Sequence, residues 1–299
     1  MATTDATVLG PAPQARRFRR ELARGGSLIR QNPLGFVGLL IILVLVVVGV
    51  LAPWLAPHSE AELGVAPPLS DPSASTPFGT DNLGRDMLSR VMYGARISLL
   101  VGFLSVVGGT MIGALIGMTS GYSGGWLDSA VQRVIDTIIA FPALILLLII
   151  IRVLGPSMTN VIIVIGIGII PGVARIVRGA TLAEKHNQYV EAARALGAST
   201  PRIILRHLAP NVAPLVIVVM TTLLGAAILA ESALSFLGLG IPAPNPSWGA
   251  DINAARNHFP IHIPWAFFPG AAISLTVLGF NLLGDALRDI LDPRLRGRL

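Results

Sequence analysis

Long runs of apolar residues recur along this chain, separated by shorter polar stretches. A helix that spans a bilayer needs about 20 mainly apolar residues, and six runs meet that length. The predicted spans lie near 35–55, 97–118, 136–154, 159–177, 212–232 and 265–284. Pro142 and Pro171 fall inside the third and fourth spans, where neighbouring helices can satisfy the backbone groups that a proline frees. The pattern therefore predicts an all-α membrane protein with six transmembrane helices.

The polar stretches between these runs differ in length and character. About 40 residues follow the first run, and their second half has helical spacing from Asp81 onward. The segment 233–264 is rich in proline and glycine, which argues against regular structure there. A third polar segment, 178–211, contains the charged, alanine-rich stretch YVEAARALGASTPRIILRHLAPN at 189–211.

This charged stretch predicts a short helix that ends at a glycine. Residues 188–196 favour a helix because alanine has the highest helix propensity, and Asn187 is an acceptable N-cap. Gly197 stands where a left-handed residue ends a helix. Four residues are spaced to share one face of this helix. They are Tyr189, Ala192, Ala193 and Leu196.

A second short helix is expected directly afterwards. Thr200 can cap it, with Pro201 at its first position, and it should end near His207, before Pro210. The pair could lie on the membrane surface with its arginines against anionic lipid heads. It could equally protrude and fit a groove on a cytoplasmic partner. The residues alone leave these two interpretations open.

Composition supports the membrane assignment. Only 13% of the 299 residues are charged, against about 25% in an ordinary soluble domain. The chain has no cysteine, which excludes disulfides and thiolate metal sites. Glycines such as Gly108, Gly109, Gly113 and Gly117 are expected to let membrane helices pack closely.

The basic residues are distributed unequally between the two sides of the predicted spans. All but five of the 22 lysines and arginines fall on the side that holds the N-terminus. The exceptions are Arg85, Arg90, Arg96, Arg152 and Arg256. Because basic residues concentrate on the cytoplasmic side of membrane proteins, both termini are expected to face the cytoplasm.

Several kinds of chemistry lack the residues they need. No G-x-x-x-x-G-K-[ST] motif is present to hold nucleotide phosphates, and no serine lies in a G-x-S-x-G context. Acidic residues fall near the ends of spans, which disfavours an ion-coupled carrier. His258 and His262 have a metal-like spacing, but Pro260 between them disfavours a shared helix face. The chain is predicted to provide a membrane path without its own energy source.

The stretch EAARALGAS, followed by HLAPN, resembles the EAA motif of ABC-importer permease subunits. In that family the first of the two helices is the coupling helix, which docks into the ATPase. The resemblance implies that Glu191 contacts the ATPase, that Ala192 and Ala193 allow close approach, and that Gly197 supplies the bend. The implied ATPase-coupling residues are Tyr189, Glu191, Ala192, Ala193, Leu196, Gly197 and Ala198.

Four further stretches resemble the C-type subunit of the dipeptide/oligopeptide/nickel permeases, and together the resemblance covers about 30–299. They are residues 30–57, 78–102, 231–252 and 285–299. The resemblance implies a type I ABC-importer permease fold. It also implies a division of the chain into a cytoplasmic tail (1–33), a first transmembrane helix (34–57), an extracytoplasmic segment (58–96), a five-helix core (97–285) containing an EAA loop (188–211), and a cytoplasmic C-terminal tail (286–299).

The resemblance also implies partners and a location. A homologous B-type permease would complete the pore, two ABC ATPase subunits or domains would carry ATP and Mg²⁺, and an extracytoplasmic peptide-binding protein would deliver dipeptides or oligopeptides. This chain would bind no cofactor or nucleic acid itself, and membrane lipids of the bacterial plasma (inner) membrane would surround it. Alternatives are a secondary carrier or a membrane scaffold that transports nothing.

Five residues on the outer side are candidates for a gate or for docking of the binding protein. They are Asp81, Arg85, Asp86, Arg90 and Trp248. The charged members have helical spacing, so a solvated amphipathic helix with local ion pairs is the alternative interpretation.

Overall fold

The computed structural model describes residues 32–258 and 261–291, and the predicted tails 1–33 and 286–299 lie largely outside that range. Helices dominate the described residues. In chain order they are α1 Pro33–Leu55, α2 Met87–Ser123, α3 Gly125–Ile139, α4 Ala143–Leu154, α5 Met158–Glu184, α6 Gln188–Ala195, α7 Thr200–Ile203, α8 Ala209–Phe236, α9 Trp248–Ala255 and α10 Pro264–Leu291, with a π-helical turn Ile204–Leu208 between α7 and α8.

Five helical stretches are long and apolar enough to cross a membrane, and a sixth crossing needs the bent pair α3 and α4. The predicted span near 136–154 is not one continuous helix, because α3 and α4 meet at 91°. The break falls at Phe141 and Pro142, and Pro142 precedes the first residue of α4. A proline lacks the N–H that a continuing helix needs, and it disfavours helical backbone at the residue before it.

The charged segment continues into the fifth span, which contradicts the predicted end before Pro210. Residues 200–236 form one helical stretch that includes the π-helical turn. Within it, the N–H of Ala209 bonds to the carbonyl of Ile204, five residues back. Pro210 follows at the start of α8, where this wider turn already interrupts the regular hydrogen bonds. Ser199, rather than Thr200, precedes the first helical residue.

The proline-rich segment 233–264 contains regular structure, contrary to expectation. Helix α9 begins at Trp248, and the hydroxyl of Ser247 accepts a hydrogen bond from the N–H of Ala250 at 3.2 Å. Serine is a favoured N-cap because its oxygen satisfies one free N–H of the first turn.

A row of glycines brings α2 and α5 into close contact. The row consists of Gly109, Gly113, Gly117 and Gly121, one per helical turn. A Cβ atom added at any of them would lie 2.5–3.1 Å from a carbonyl oxygen of α5. Gly108, which was grouped with them from the sequence, faces open space instead. The predicted close packing is therefore confirmed for Gly109, Gly113 and Gly117, and Gly121 extends it by one turn.

Helix α1 is attached to the rest of the protein at two levels. Near its start, Gly35 and Gly38 lie against α10, where an added Cβ would meet Ala286 or the carbonyl of Gly279. Near its end, α1 crosses α2 at Gly49, which lies against the backbone of Arg96. Most of the large apolar side chains of α1 are exposed in this single chain.

Candidate functional site

The charged segment 188–211, which was predicted to couple to an ATPase, begins with a hydrogen-bonded turn after α5. Asn187 precedes α6, and its carbonyl accepts bonds from the N–H groups of Val190 and Glu191. The Asn187 side chain does not cap the helix but donates to a Glu184 carboxylate oxygen at 2.6 Å. The Tyr189 hydroxyl donates to the same oxygen at 2.7 Å. Partial desolvation of the phenol, reinforced by this bond, raises the pKa of Tyr189 to about 12, so the phenol remains a donor.

The end of α6 is a Schellman motif, as the glycine predicted. Gly197 has a left-handed backbone with φ 77°. Its N–H bonds to the carbonyl of Arg194, and the N–H of Ala198 bonds to the carbonyl of Ala193, both at 3.0 Å. These two bonds satisfy carbonyls that the end of a helix otherwise leaves free. The bend is therefore encoded locally by Gly197.

One face of α6 is anchored on the protein. Val190 and Ala193 are buried in a cluster formed with α2, α5, the π-helical turn and α8. Ala198 packs at the edge of the same cluster. The segment is consequently held by apolar contacts to the two spans, α5 and α8, between which it lies.

The opposite face of α6 is open. Tyr189, Glu191 and Ala192 are exposed, and Leu196 is 88% exposed at the tip. Ala193 points inward, so the four residues that were predicted to share a face are divided between the two sides. An exposed leucine is common in proteins, but this one stands at a tight bend whose other face is fixed, so it forms a protruding apolar tip.

The lipid-surface interpretation of this segment places its arginines against lipid heads, but the Arg194 side chain contacts α2. Its guanidinium lies 5.6 Å from the centre of the Tyr122 ring, and one of its nitrogens is 3.5 Å from the Tyr122 hydroxyl. Arg194 therefore contacts the end of α2, and this cation–π arrangement helps to hold α6 against the protein.

On the other side of the membrane, two of the candidate outer residues form a compact turn. The Asp81 carboxylate accepts bonds from the N–H groups of Leu83 and Arg85, and the Arg85 side chain donates to it at 2.5 Å. Asp81 is fully buried. Asp86 then caps α2, because its carboxylate accepts the N–H of Ser89 at 2.9 Å.

Arg90 connects this turn to α9. It donates to one oxygen of Asp251 from two guanidinium nitrogens, at 2.9 and 2.5 Å, and both residues are buried. The Trp248 indole N–H donates to the carbonyl of Val91 at 3.0 Å. An added Cβ on Gly94 would lie 2.8 Å from the Trp248 ring, so α2 and α9 are in direct contact.

The burial of Asp81, Asp86 and Arg90 shows that these residues do not lie on a solvated helix face, although the local ion pair that this alternative included is present between Asp81 and Arg85. Together with the buried Trp248, they hold the layer at this end of the spans together from inside. A role as gate elements or in docking of the binding protein stays a prediction.

Sequence reasoning missed two long-range partners in this layer. Asp251 pairs with Arg90, and Glu231 accepts bonds from Ser98 at 3.0 Å and Ser235 at 2.8 Å. Asp251 lies in the PSWGADI stretch three residues after Trp248, so its position beside a candidate residue was the available signal. Nothing local in the sequence pairs Ser98 with Glu231.

The metal-like spacing of His258 and His262 does not correspond to a cluster of metal ligands in the described residues. The His262 Nδ1 atom lies 3.6 Å from an Asp71 oxygen, and Pro260 lies outside the described residues. Within 32–258 and 261–291, no three histidine or acidic side chains converge closely enough to hold a metal ion.

Comparison with known proteins agrees with this architecture. Residues 109–297 match the family model described as binding-protein-dependent transport system inner membrane component, and residues 28–72 match the N-terminal TM domain of oligopeptide transport permease C. The chain is 42% identical over 269 residues to the dipeptide transport system permease protein DppC of Alkalihalophilus pseudofirmus, a match that covers 90% of this chain and 88% of that protein.

The chain is also 42% identical to the glutathione transport system permease protein GsiD of Escherichia coli, over 90% of this chain and 89% of that one. Among solved structures, an inward-facing MetNI methionine ABC transporter has a chain of similar fold, with a TM-score of 0.57 and 20% identity. The similarity covers 69% of this chain and 98% of the other, and it supports the fold alone.

Proposed function

Because the chain belongs to the binding-protein-dependent transport system inner membrane components and is a C-type permease subunit of an ABC importer, we propose that it forms one half of a pore for short peptides. The other half would be a homologous B-type permease. The named relatives transport dipeptides and glutathione, and both cargoes are short and peptide-like. A peptide cargo is the property they share.

The α6 segment is proposed to receive the ATPase. The observation that carries this assignment is the contrast between its two faces: Val190 and Ala193 are buried against the spans, whereas Glu191 and Leu196 are open. Leu196 at the bend would enter an apolar groove of the ATPase, and Glu191 would make a polar contact at its rim. This mode of docking is that of a short helix whose apolar anchor fits a groove.

The connection to the spans suggests how ATP would drive transport. ATP and Mg²⁺ would be held by the partner ATPases, since the sequence has no P-loop motif. Closure of the ATPase pair would displace α6. The bend at 196–199 separates α6 from α7, and α7 continues through the π-helical turn into α8, so the displacement would be passed to the fifth span. The pore would then shift between outward- and inward-facing packings.

The outer layer is proposed to face the extracytoplasmic side, with both termini in the cytoplasm of a bacterium and the chain in its plasma membrane. The unequal distribution of basic residues supports that orientation. A peptide-binding protein would dock on this layer. The network of Asp81, Arg85, Asp86, Arg90 and Trp248 would keep the docking surface and the outer end of α2 in a fixed relation.

The test is ATP-driven uptake by the reconstituted complex. Glu191→Lys and Gly197→Pro should abolish peptide uptake, because the first reverses a charge at the proposed interface and the second removes the left-handed bend. Gln188→Lys is the matched control, since it adds a positive charge to the exposed start of the same helix. Co-purification of all subunits establishes that each variant assembles.

Normal transport by the Glu191 and Gly197 variants would rule out the coupling role. Uptake driven by an ion gradient, without any ATPase present, would instead identify a secondary carrier. Assembly without uptake of any solute would favour a scaffold.

A further inference from the structure

An apolar cleft opens between α1 and the helices it crosses. Helix α1 contacts α10 through Gly35, Gly38 and the buried Ile42, and it contacts α2 through Gly49. Beside these contacts lies a cleft with a volume of about 570 Å³, bounded by α1, α2, α8 and α10.

The cleft runs parallel to the spans. On α2 its wall is formed by Arg96, Leu99, Leu100 and Phe103, which follow one face of the helix. These residues cover about 10 Å along the helix axis at 1.5 Å per residue. A single leaflet of the hydrocarbon core is about 15 Å thick, so the cleft extends through much of one leaflet.

Arg96 is the one charged residue among those that line the cleft. It stands at the end nearest the 58–86 segment, next to Gly49 near the end of α1, and the wall below it is apolar. Arg96 is exposed, and within the described parts of the chain no acidic side chain forms an ion pair with it. Arg90, six residues earlier in α2, and Arg85, which precedes α2, both have carboxylate partners.

We propose that this cleft binds one anionic glycerophospholipid, with the phosphate on the Arg96 guanidinium and an acyl chain between α1 and α2. Guanidinium groups bind phosphate oxygens in a forked geometry with charge-assisted hydrogen bonds. An acyl chain matches an apolar cleft that runs along the membrane normal. In a bilayer, lipid supplies both groups at the required depth, with the phosphate at the interface and the chain beneath it.

The charge at the mouth gives the site its preference. An arginine that merely extended to the membrane surface would bind any headgroup weakly and would need no cleft below it. Here the cleft fixes one chain, and the unpaired guanidinium favours a headgroup with net negative charge. The proposal does not depend on the identity of the transported solute or on the role of α6.

The experiment is native mass spectrometry of the assembly purified through a tag on this chain. After delipidation, the assembly is titrated with phosphatidylglycerol or with phosphatidylcholine that carries the same acyl chains. The wild type should bind one phosphatidylglycerol in preference to phosphatidylcholine. Arg96→Gln should weaken that binding about tenfold or more, the usual effect of losing a charge-assisted bond.

Matched variants separate the cleft from general lipid contact. Leu100→Trp fills the cleft and should abolish the bound lipid. Leu104→Trp is its control, because Leu104 is one turn deeper on the same helix, equally exposed at 42%, and outside the cleft wall. Arg256→Gln controls for the loss of an exposed positive charge on the outer side and should leave binding unchanged.

Three results would overturn the proposal. The first is equal binding of the two lipids by the wild type, and the second is unchanged binding in Arg96→Gln or Leu100→Trp. The third comes from a photo-crosslinking amino acid at position 100. Capture of phosphatidylglycerol supports the site, whereas capture of a second permease chain would show that a protein helix fills the cleft.

Discussion

Adding one methyl group at Gly109 should destabilise the protein, whereas the same change at Gly108 should not. A Cβ atom at Gly109 would lie 2.5 Å from the carbonyl oxygen of Gly166, and the space beside Gly108 is open for 4 Å. The two glycines are adjacent in α2, so they share the same helix, depth and sequence context. They form a matched pair for measuring the close approach of α2 and α5.

The magnitude follows from the contact distance. Ordinary contact with a Cβ begins near 3.4 Å, so α2 and α5 must separate by about 0.9 Å at this level in Gly109→Ala. Overpacking of this kind costs about 1–3 kcal/mol. Both variants gain about 0.5–1 kcal/mol from replacing a helical glycine by alanine, and this gain cancels in the comparison. The difference between the variants should therefore be about 1–3 kcal/mol.

The assay is thermal unfolding of the purified assembly in one detergent, followed by tryptophan fluorescence. At about 2–4 °C per kcal/mol, Gly109→Ala should unfold about 2–12 °C below Gly108→Ala. Co-purification of the remaining subunits shows that each variant assembles. Equal unfolding temperatures for the two variants would refute the argument that backbone contact along the glycine row sets the distance between α2 and α5.

Three further predictions concern the two faces of the protein. Arg90→Gln should lower the free energy of unfolding by about 3–5 kcal/mol, because it leaves Asp251 buried without its partner. The double variant Arg90→Met, Asp251→Leu should recover most of this loss, and a double variant as unstable as the single one would contradict the prediction. Trp248→Phe should cost about 0.5–1.5 kcal/mol in the same thermal assay because the hydrogen bond from the indole to the carbonyl of Val91 is lost while that carbonyl keeps its partner within α2, and no change would mean that water replaces the bond. Leu196→Asp should leave the unfolding temperature within the range of a surface change, about 0.5 kcal/mol, while lowering ATP-driven uptake severalfold, and full uptake would argue against an apolar docking tip.

The features that sequence patterns predicted well are those encoded within a few residues. The apolar runs located the spans because a membrane helix needs only length and hydropathy. Gly197 identified the end of α6 because a left-handed cap is a local requirement, and the hydrogen bonds of Ala198 and Gly197 confirm it. The spacing of Gly109, Gly113 and Gly117 likewise indicated a helix contact, although it could not name α5 as the partner.

The features that sequence patterns missed depend on contacts between distant residues. A proline inside an apolar run is compatible with either a straight or a broken span, so the run alone did not indicate the 91° bend at Phe141 and Pro142. The pairing of Arg90 with Asp251 joins residues 161 positions apart, so no local pattern contains it. Asp81 is buried by contacts in the same layer, so residues whose spacing suggested a charged, solvated helix form an interior network of hydrogen bonds instead.

The π-helical turn Ile204–Leu208 has a consequence for how insertions and deletions would act in this chain. A π-helical turn holds one residue more than an α-helical turn. Deleting one residue from Ile204–Leu208 could therefore convert the wide turn to regular α-helix and leave the segments on either side close to their present orientation. Deleting one residue from the regular part of α8 would instead rotate everything before the deletion by about 100° around the helix axis, and Leu196 would then point in a new direction. The π-helical turn is thus a place where the chain can lose one residue while Leu196 keeps its direction relative to the spans.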